Sequence, residues 1–309
     1  MRNKPAVILW LYHTDLSEEF TKVLFTHRNK IKLFLGLCVD NDNSRAETIF
    51  TSNFKNLDIS YFNNGGTDIL PTLKLLEKCA TNHDIFFKLH SKKNNWGINR
   101  QVNWRSLLVN DIIYKDNFDF TVKKLERKDI GLVGSHSFIM RDNEYTNHNK
   151  ILELCSLFNI DYNKLRLKSF IGGNVFAAKT KNFTPLLYND RVKELLSQEV
   201  GLIKDDSGGT YVHSMERLFG YMAEYHNQTI YGGPHNTQIV LNTKLKKHRL
   251  HLVKIYNNNC YMQENPNVYG EIIQEDQYEI VINWLNVVEH PPQTYKKYPK
   301  YLLNTNAIT

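Results

Sequence analysis

Two nearly continuous apolar runs, residues 6–12 (AVILWLY) and 32–39 (KLFLGLCV), and two shorter strand-like runs with polar residues in them, 57–62 (LDISYF) and 84–89 (DIFFKL), fall within the N-terminal third of the chain. An antiparallel strand with one wet face alternates polar and apolar residues. Runs without alternation read instead as strands buried on both faces, the mark of a parallel sheet covered by helices. Between the first two runs, Ser17 caps a helical period with Glu18 and Glu19 in its first turn and Phe20, Val23 and Leu24 on its apolar side. The third run ends in Asn63-Asn64-Gly65-Gly66, a strong turn signal, and residues 67–79 then read as a helix with Ile69, Leu73 and Leu76 on one face. The order strand–helix–strand–strand–helix–strand predicts an α/β fold of Rossmann-like type, a mainly parallel sheet with helices on both faces.

Such sheets bind ligands at the carboxyl ends of their strands. Those ends are Tyr12-His13-Thr14-Asp15, Asp40-Asn41-Asp42, residues 63–68, and His90-Ser91-Lys92-Lys93. All four are polar, and all four should meet on one rim. The last is the most telling. Cations at a strand end can face a diphosphate directly, and lysine binds phosphate as a point charge. The same residues also fit a strand running into a solvated basic loop. Gly65 and Gly66 let backbone approach a ligand, or simply make a turn. Asp68 can cap its helix or hold a ribose or base edge. Arg105, downstream, can add to the cationic site or sit on a helix surface.

Farther along, residues 103–113, 151–158 and 212–225 read as helices, 130–134 as a strand, and 170–178 as one glycine-led strand. In the last helix Met215, Leu218, Phe219 and Met222 form the apolar face. His213 and Glu216, three apart, share another face. Glu216 can act as a general base if the amino end of the helix points into the cleft. Otherwise it is a surface glutamate with a partner on its own helix. Beyond residue 234 the pattern weakens into basic stretches, KLKKHRLH at 244–251 and YKKYPKY at 295–301. The expected partition is one catalytic domain, 1–235, and a C-terminal extension, 236–309.

The 309 residues carry a net charge of +7, which suits an acidic ligand such as a nucleotide sugar, nucleic acid or an anionic membrane. No nucleic-acid reader motif appears, so that partner is not expected. There is no P-loop, no GxGxxG after the first strand, and no HExxH, GxSxG or Cys/His nucleophile pattern. Cys38, Cys79, Cys155 and Cys260 are widely spaced without a CxxC pair, which argues against zinc and suits a reducing cytoplasm. No run approaches the ~20 apolar residues of a membrane span, and the N-terminus lacks signal-peptide features. A cytoplasmic protein, with peripheral membrane contact at most, is expected.

The succession NNGGTDILPTLKLL, DIFFKLHSKKN, WR at Trp104-Arg105, IGLVG, GGNVFAAK and GTYVHSMERLFGYMAE resembles the rhamnan synthesis protein F family across residues 5–235. These are glycosyltransferase-like proteins of bacterial polysaccharide assembly, of the kind that builds O-antigen or capsule. The resemblance implies a GT-A-like fold. It places Tyr12, His13, Asp40, Gly65, Gly66 and Asp68 around a nucleotide sugar, with Arg105, Gly173 and Arg217 beside it. Metal-dependent relatives of that fold end the fourth strand in paired aspartates. His90, Lys92 and Lys93 stand there in this chain, so no metal cofactor is expected. Glu216 matches the base, His213 and Arg217 support it, and Asp206 is the reserve. The implied reaction moves rhamnose or a related deoxysugar from a nucleoside-diphosphate donor to a glycan or lipid-linked glycan, with inversion. The basic C-terminal part would approach the membrane or be an oligomer-contacting end. A sugar-phosphate transferase and a non-catalytic glycan-binding module are the alternatives.

Overall fold

A computed structural model describes residues 3–93, 104–141, 147–165, 167–200 and 209–233, together with the backbone of four strands between 253 and 284. The main unit comprises Met1–Lys93 and Trp104–Pro234. Its strands are β1 (Ala6–Leu11), β2 (Lys32–Cys38), β3 (Leu57–Phe62), β4 (Ile85–His90), β5 (Ile130–Gly134), β6 (Ile139–Arg141), β7 (Ser169–Ile171), β8 (Phe176–Lys179) and β9 (Thr229–Gly232). Its helices are α1 (Ser17–Phe25), α2 (Ser44–Asn53), α3 (Ile69–Cys79), α4 (Trp104–Ile113), α5 (Asp116–Leu125), α6 (His148–Leu157), α7 (Thr180–Phe183), α8 (Asp190–Ser197) and α9 (Tyr211–Tyr225).

Seven strands form one sheet in the order β3-β2-β1-β4-β8-β5-β9. All pairs are parallel except those made by β8, which runs antiparallel to both β4 and β5. The fold is therefore α/β with a mostly parallel sheet. Every residue of β1 is buried. Successive side chains of a strand point to opposite faces, so both faces are covered. Strand order reverses at β1: the chain moves outward through β2 to β3, and α3 carries it back to β4 on the other side. In open α/β sheets that reversal opens a crevice at the carboxyl ends of the two strands, here β1 and β4.

The structure adds α5, α8, β6 and β9, which the sequence pattern did not show, and differs from the sequence expectation in three further places. Helix α2 lies between β2 and β3, where no helix was read. Only Ala46 and Phe50 of its ten residues are buried, too narrow a stripe to register as a helical period. The run 170–178 is two strands, not one. Residues 172–174 turn the chain, with Gly173 at φ 85° and Asn174 at φ 55°. That turn sends β7 to pair with β6 and β8 into the main sheet. Beyond residue 234, β10 (Val253–Tyr256), β11 (Asn259–Met262), β12 (Tyr269–Glu275) and β13 (Ile280–Trp284) form a separate antiparallel sheet in sequence order. The two basic stretches of that region lie outside the described residues.

Helix α9 sits against β7 with almost no clearance. A Cβ placed on Gly220 would lie 2.3 Å from the Phe170 Cα. Glycine is thus required for this close approach, which fixes the depth at which α9 presents its other face.

Candidate functional site

Lys88 and His90 are two apart on β4 and share a face of the sheet. Lys88 has no solvent exposure and His90 has 4%. A buried ammonium must find anionic or carbonyl partners. Lys88 Nζ donates to Asp68 Oδ2 at 2.6 Å and to the Asn174 carbonyl at 2.8 Å. Asp68 stands at the N-cap position of α3 but makes no side-chain cap bond there. Its carboxylate turns instead to Lys88 and accepts a second bond from Asn174 Nδ2 at 2.7 Å. His90 Nε2 lies 2.8 Å from the Gly173 carbonyl. A carbonyl only accepts, so Nε2 carries the proton. His90 Nδ1 faces Asp68 Oδ1 at 3.7 Å.

Burial pushes the His90 imidazole down to a pKa of about 4, although Asp68 pulls the other way. The ring is therefore neutral at neutral pH. Burial also works against ionised Asp68, but the cations around it outweigh burial and hold its carboxyl well below the usual range. With His90 neutral, Lys88, and after it Lys92, keep Asp68 ionised. Burial in turn lowers Lys88, and Asp68 and Glu216 oppose that shift.

The turn before β8 links this ion pair to α9. Gly173 N–H donates to Glu216 Oε1 at 2.9 Å. The turn is further held by Gly172 N–H to the Phe138 carbonyl at 2.8 Å and by Asn174 N–H to the Ile171 carbonyl at 3.1 Å. Glu216 lies in the second turn of α9, whose amino end is firmly capped. The Thr210 hydroxyl accepts from His213 N–H, and the two Glu199 oxygens accept from the Tyr211 and Val212 N–H groups at 2.7 and 2.8 Å. Each satisfies donors that a helix start leaves open.

The other expected residues fall into three places. Tyr12 and His13 follow β1 beside the β4 loop. Asn41 Nδ2 donates to the Tyr12 carbonyl, and His13 N–H donates to Ser91 Oγ at 2.8 Å. Burial, then the neighbouring Lys93, lowers the His13 pKa. Lys93 itself pairs with Asp15 at 2.9 Å. Arg105 grips both Glu19 oxygens and donates to the Lys92 carbonyl at 2.9 Å. Lys93 and Arg105 thus brace the loop after β4, while the Lys92 side chain is exposed. Asp40 lies at the second place, a cleft of about 300 Å³ beyond β2 and β3, walled by Phe62, Asn63, Pro71, Lys74 and Val200. Gly65 and Gly66 accommodate the chain's own backbone: Gly66 N–H donates to the Glu199 carbonyl, and Gly65 bridges to Val200. The third place is the surface of α9, where Arg217 donates to the His213 carbonyl and lies over the Phe170 ring. Asp206 lies outside the described residues.

A model of the rhamnan synthesis protein F family matches residues 1–228. The chain belongs to this family. No curated protein matches it. The family match spans every group of the buried network, from Asp68 through Lys88, His90 and Asn174 to Glu216, as well as the cleft beyond β2 and β3. Among the described residues, no three His, Cys, Asp or Glu side chains gather into a metal-binding group. No helix among them is long and apolar enough to cross a membrane. Sequence reasoning gave no role to Lys88, Asn174 or Glu199, and took Ser91 only as part of the polar end of β4. Only Lys88 carried a signal: a lysine inside the run IFFKLH must be buried with its strand, and a buried lysine demands a carboxylate.

Proposed function

We propose that this protein is a glycosyltransferase of GT-A-like type. It moves a deoxyhexose such as rhamnose from a nucleoside-diphosphate sugar to a growing glycan, with inversion and without a metal. Family membership suggests a role in rhamnan synthesis, and so in polysaccharide assembly. The observation that carries the finer reading is the hydrogen bond joining Glu216 to the turn at the carboxyl end of β4. It sets a carboxylate beside the carboxyl end of β4, one of the two strands that flank the reversal of strand order.

Glu216 takes the proton of the acceptor hydroxyl, whose oxygen bonds to the anomeric carbon. The sugar–oxygen bond to the diphosphate breaks on the opposite side, and the diphosphate leaves with the electron pair. Lys92, at the rim, stabilises the charge that builds on it. The cleft beside Asp40 is at the lower end of small-molecule pocket sizes and suits the nucleoside. The acceptor is a glycan or lipid-linked glycan, reached at the cytoplasmic face of the membrane.

A thermal-shift series with dTDP, UDP, GDP and CMP tests the donor. The preferred nucleotide at a hundredfold its Kd should stabilise the full chain by about 2.7 kcal/mol. A dTDP preference supports a rhamnose-type donor, and no response to any nucleotide defeats the reading. Turnover should release nucleoside diphosphate; monophosphate would mean phosphotransfer instead. Glu216→Gln should lower kcat by about 10² to 10⁴ while leaving the nucleotide shift intact. Activity lost in chelator and restored by Mn²⁺ would defeat the metal-free part.

A further inference from the structure

Lys88 cannot touch a substrate, because its side chain has no exposed surface. Yet it holds the turn before β8 at two points. Its ammonium bonds the Asn174 carbonyl directly, and it bonds Asp68, which in turn holds the Asn174 amide. His90 adds a third point at the Gly173 carbonyl. Gly173 and Asn174 both have positive φ, which glycine adopts freely and asparagine more readily than most residues, so the sequence permits the turn and the bonds around it fix its orientation. On its other side the same turn anchors Glu216 through Gly173 N–H.

We propose that Lys88 is a positioning residue for the reaction: through Asp68 and the Gly173–Asn174 turn, it fixes the carboxylate of Glu216. The proposal rests on the reading of Glu216 as the base. With Oε1 anchored to the turn, Oε2 is the oxygen that takes the acceptor's proton. Without Lys88, the Asn174 carbonyl is left unpaired, the turn is free to shift, and Gly173 N–H moves away from Glu216.

Lys88→Met alone strands the Asp68 carboxylate in the interior and risks unfolding. Lys88→Met with Asp68→Asn removes both charges together and is the variant of choice. Hydrogen exchange on the resting full chain needs no substrate. In the double variant the Gly173 amide should exchange about tenfold faster or more, with β1 and β2 still protected. An unchanged Gly173 amide overturns the proposal. Kinetics with dTDP-rhamnose and a rhamnose oligosaccharide give the second readout. A misplaced base predicts kcat lower by about 100-fold, with KM for the donor within about twofold of that of Asp68→Asn alone. Adding Glu216→Gln to the double variant should then cost no more than about twofold further, because both changes disable one carboxylate. If the two losses multiply, Lys88 acts apart from Glu216 and the proposal falls, while the base assignment survives. Full turnover by Glu216→Gln alone would overturn both readings.

Discussion

From β3 across to β4, neighbouring strands all run parallel, and β1 and β2 in the middle are nearly continuous apolar runs. From β4 to β9 the antiparallel β8 interrupts that order. Because β8 runs the other way, its beginning, not its end, meets the carboxyl end of β4: Lys88 pairs in register with Phe176. The turn before β8 is thereby pressed onto a lysine inside a strand. The parallel half needs only burial to define its geometry. The seam needs a specific ionic and hydrogen-bonded set, and that set leads to Glu216. The cations of the site divide the same way. Lys88 is buried at the seam, whereas Lys93 is paired at the exposed loop beyond it.

The sharpest way to break this comparison is Lys88→Met alone. It leaves a buried carboxylate without its cation and should cost about 3–5 kcal/mol in urea denaturation. A loss under about 1 kcal/mol would mean the seam is no more specified than the rest of the sheet. Acid titration comes next. His90 has a folded pKa of about 4, below its ordinary 6.5, so the unfolded chain binds the proton first as pH falls. Its contribution is present in full above about pH 6.5 and is lost between there and pH 4. It amounts to about 3 kcal/mol at most. His13, His27 and His226 are also lowered by burial and slope the same way. The decisive quantity is therefore the difference between wild type and His90→Gln. Parallel stability–pH curves for the two would show that His90 is not held neutral.

Gly220→Ala probes the seam from behind. Its new methyl meets the Phe170 backbone, and moving α9 off β7 should cost about 1–3 kcal/mol. It should also slow turnover, because Glu216 moves with the helix; unaltered melting and kcat would show that α9 has room to spare. The smallest effect belongs to Lys93→Met. Its pair with Asp15 is largely solvent-exposed, so the change in stability should stay within about 1 kcal/mol. A larger loss would erase the contrast with Lys88.

The sequence by itself determined the α/β class, the four parallel strands with their shared polar rim, and the amphipathic α9 bearing Glu216. Each follows from local pattern, because the spacing of apolar residues states which faces must be buried. It underread α2, whose apolar stripe is two residues wide, and it joined β7 to β8, because the apolar residues on both sides of Gly172-Gly173-Asn174 read as one strand and the turn signal between them was passed over. Lys92, Lys93 and Arg105 looked like the phosphate site because they are basic and follow a strand. Tertiary structure gave Lys93 and Arg105 acidic partners on and beside α1, and brought Lys88 to Asp68 and Asn174 from positions 20 and 86 residues away. Only the folded chain could decide those pairings. A residue's local pattern fixes how deeply it is buried, but strand order and direction fix which distant groups share that interior. For a buried charge, the partner is the whole of its meaning.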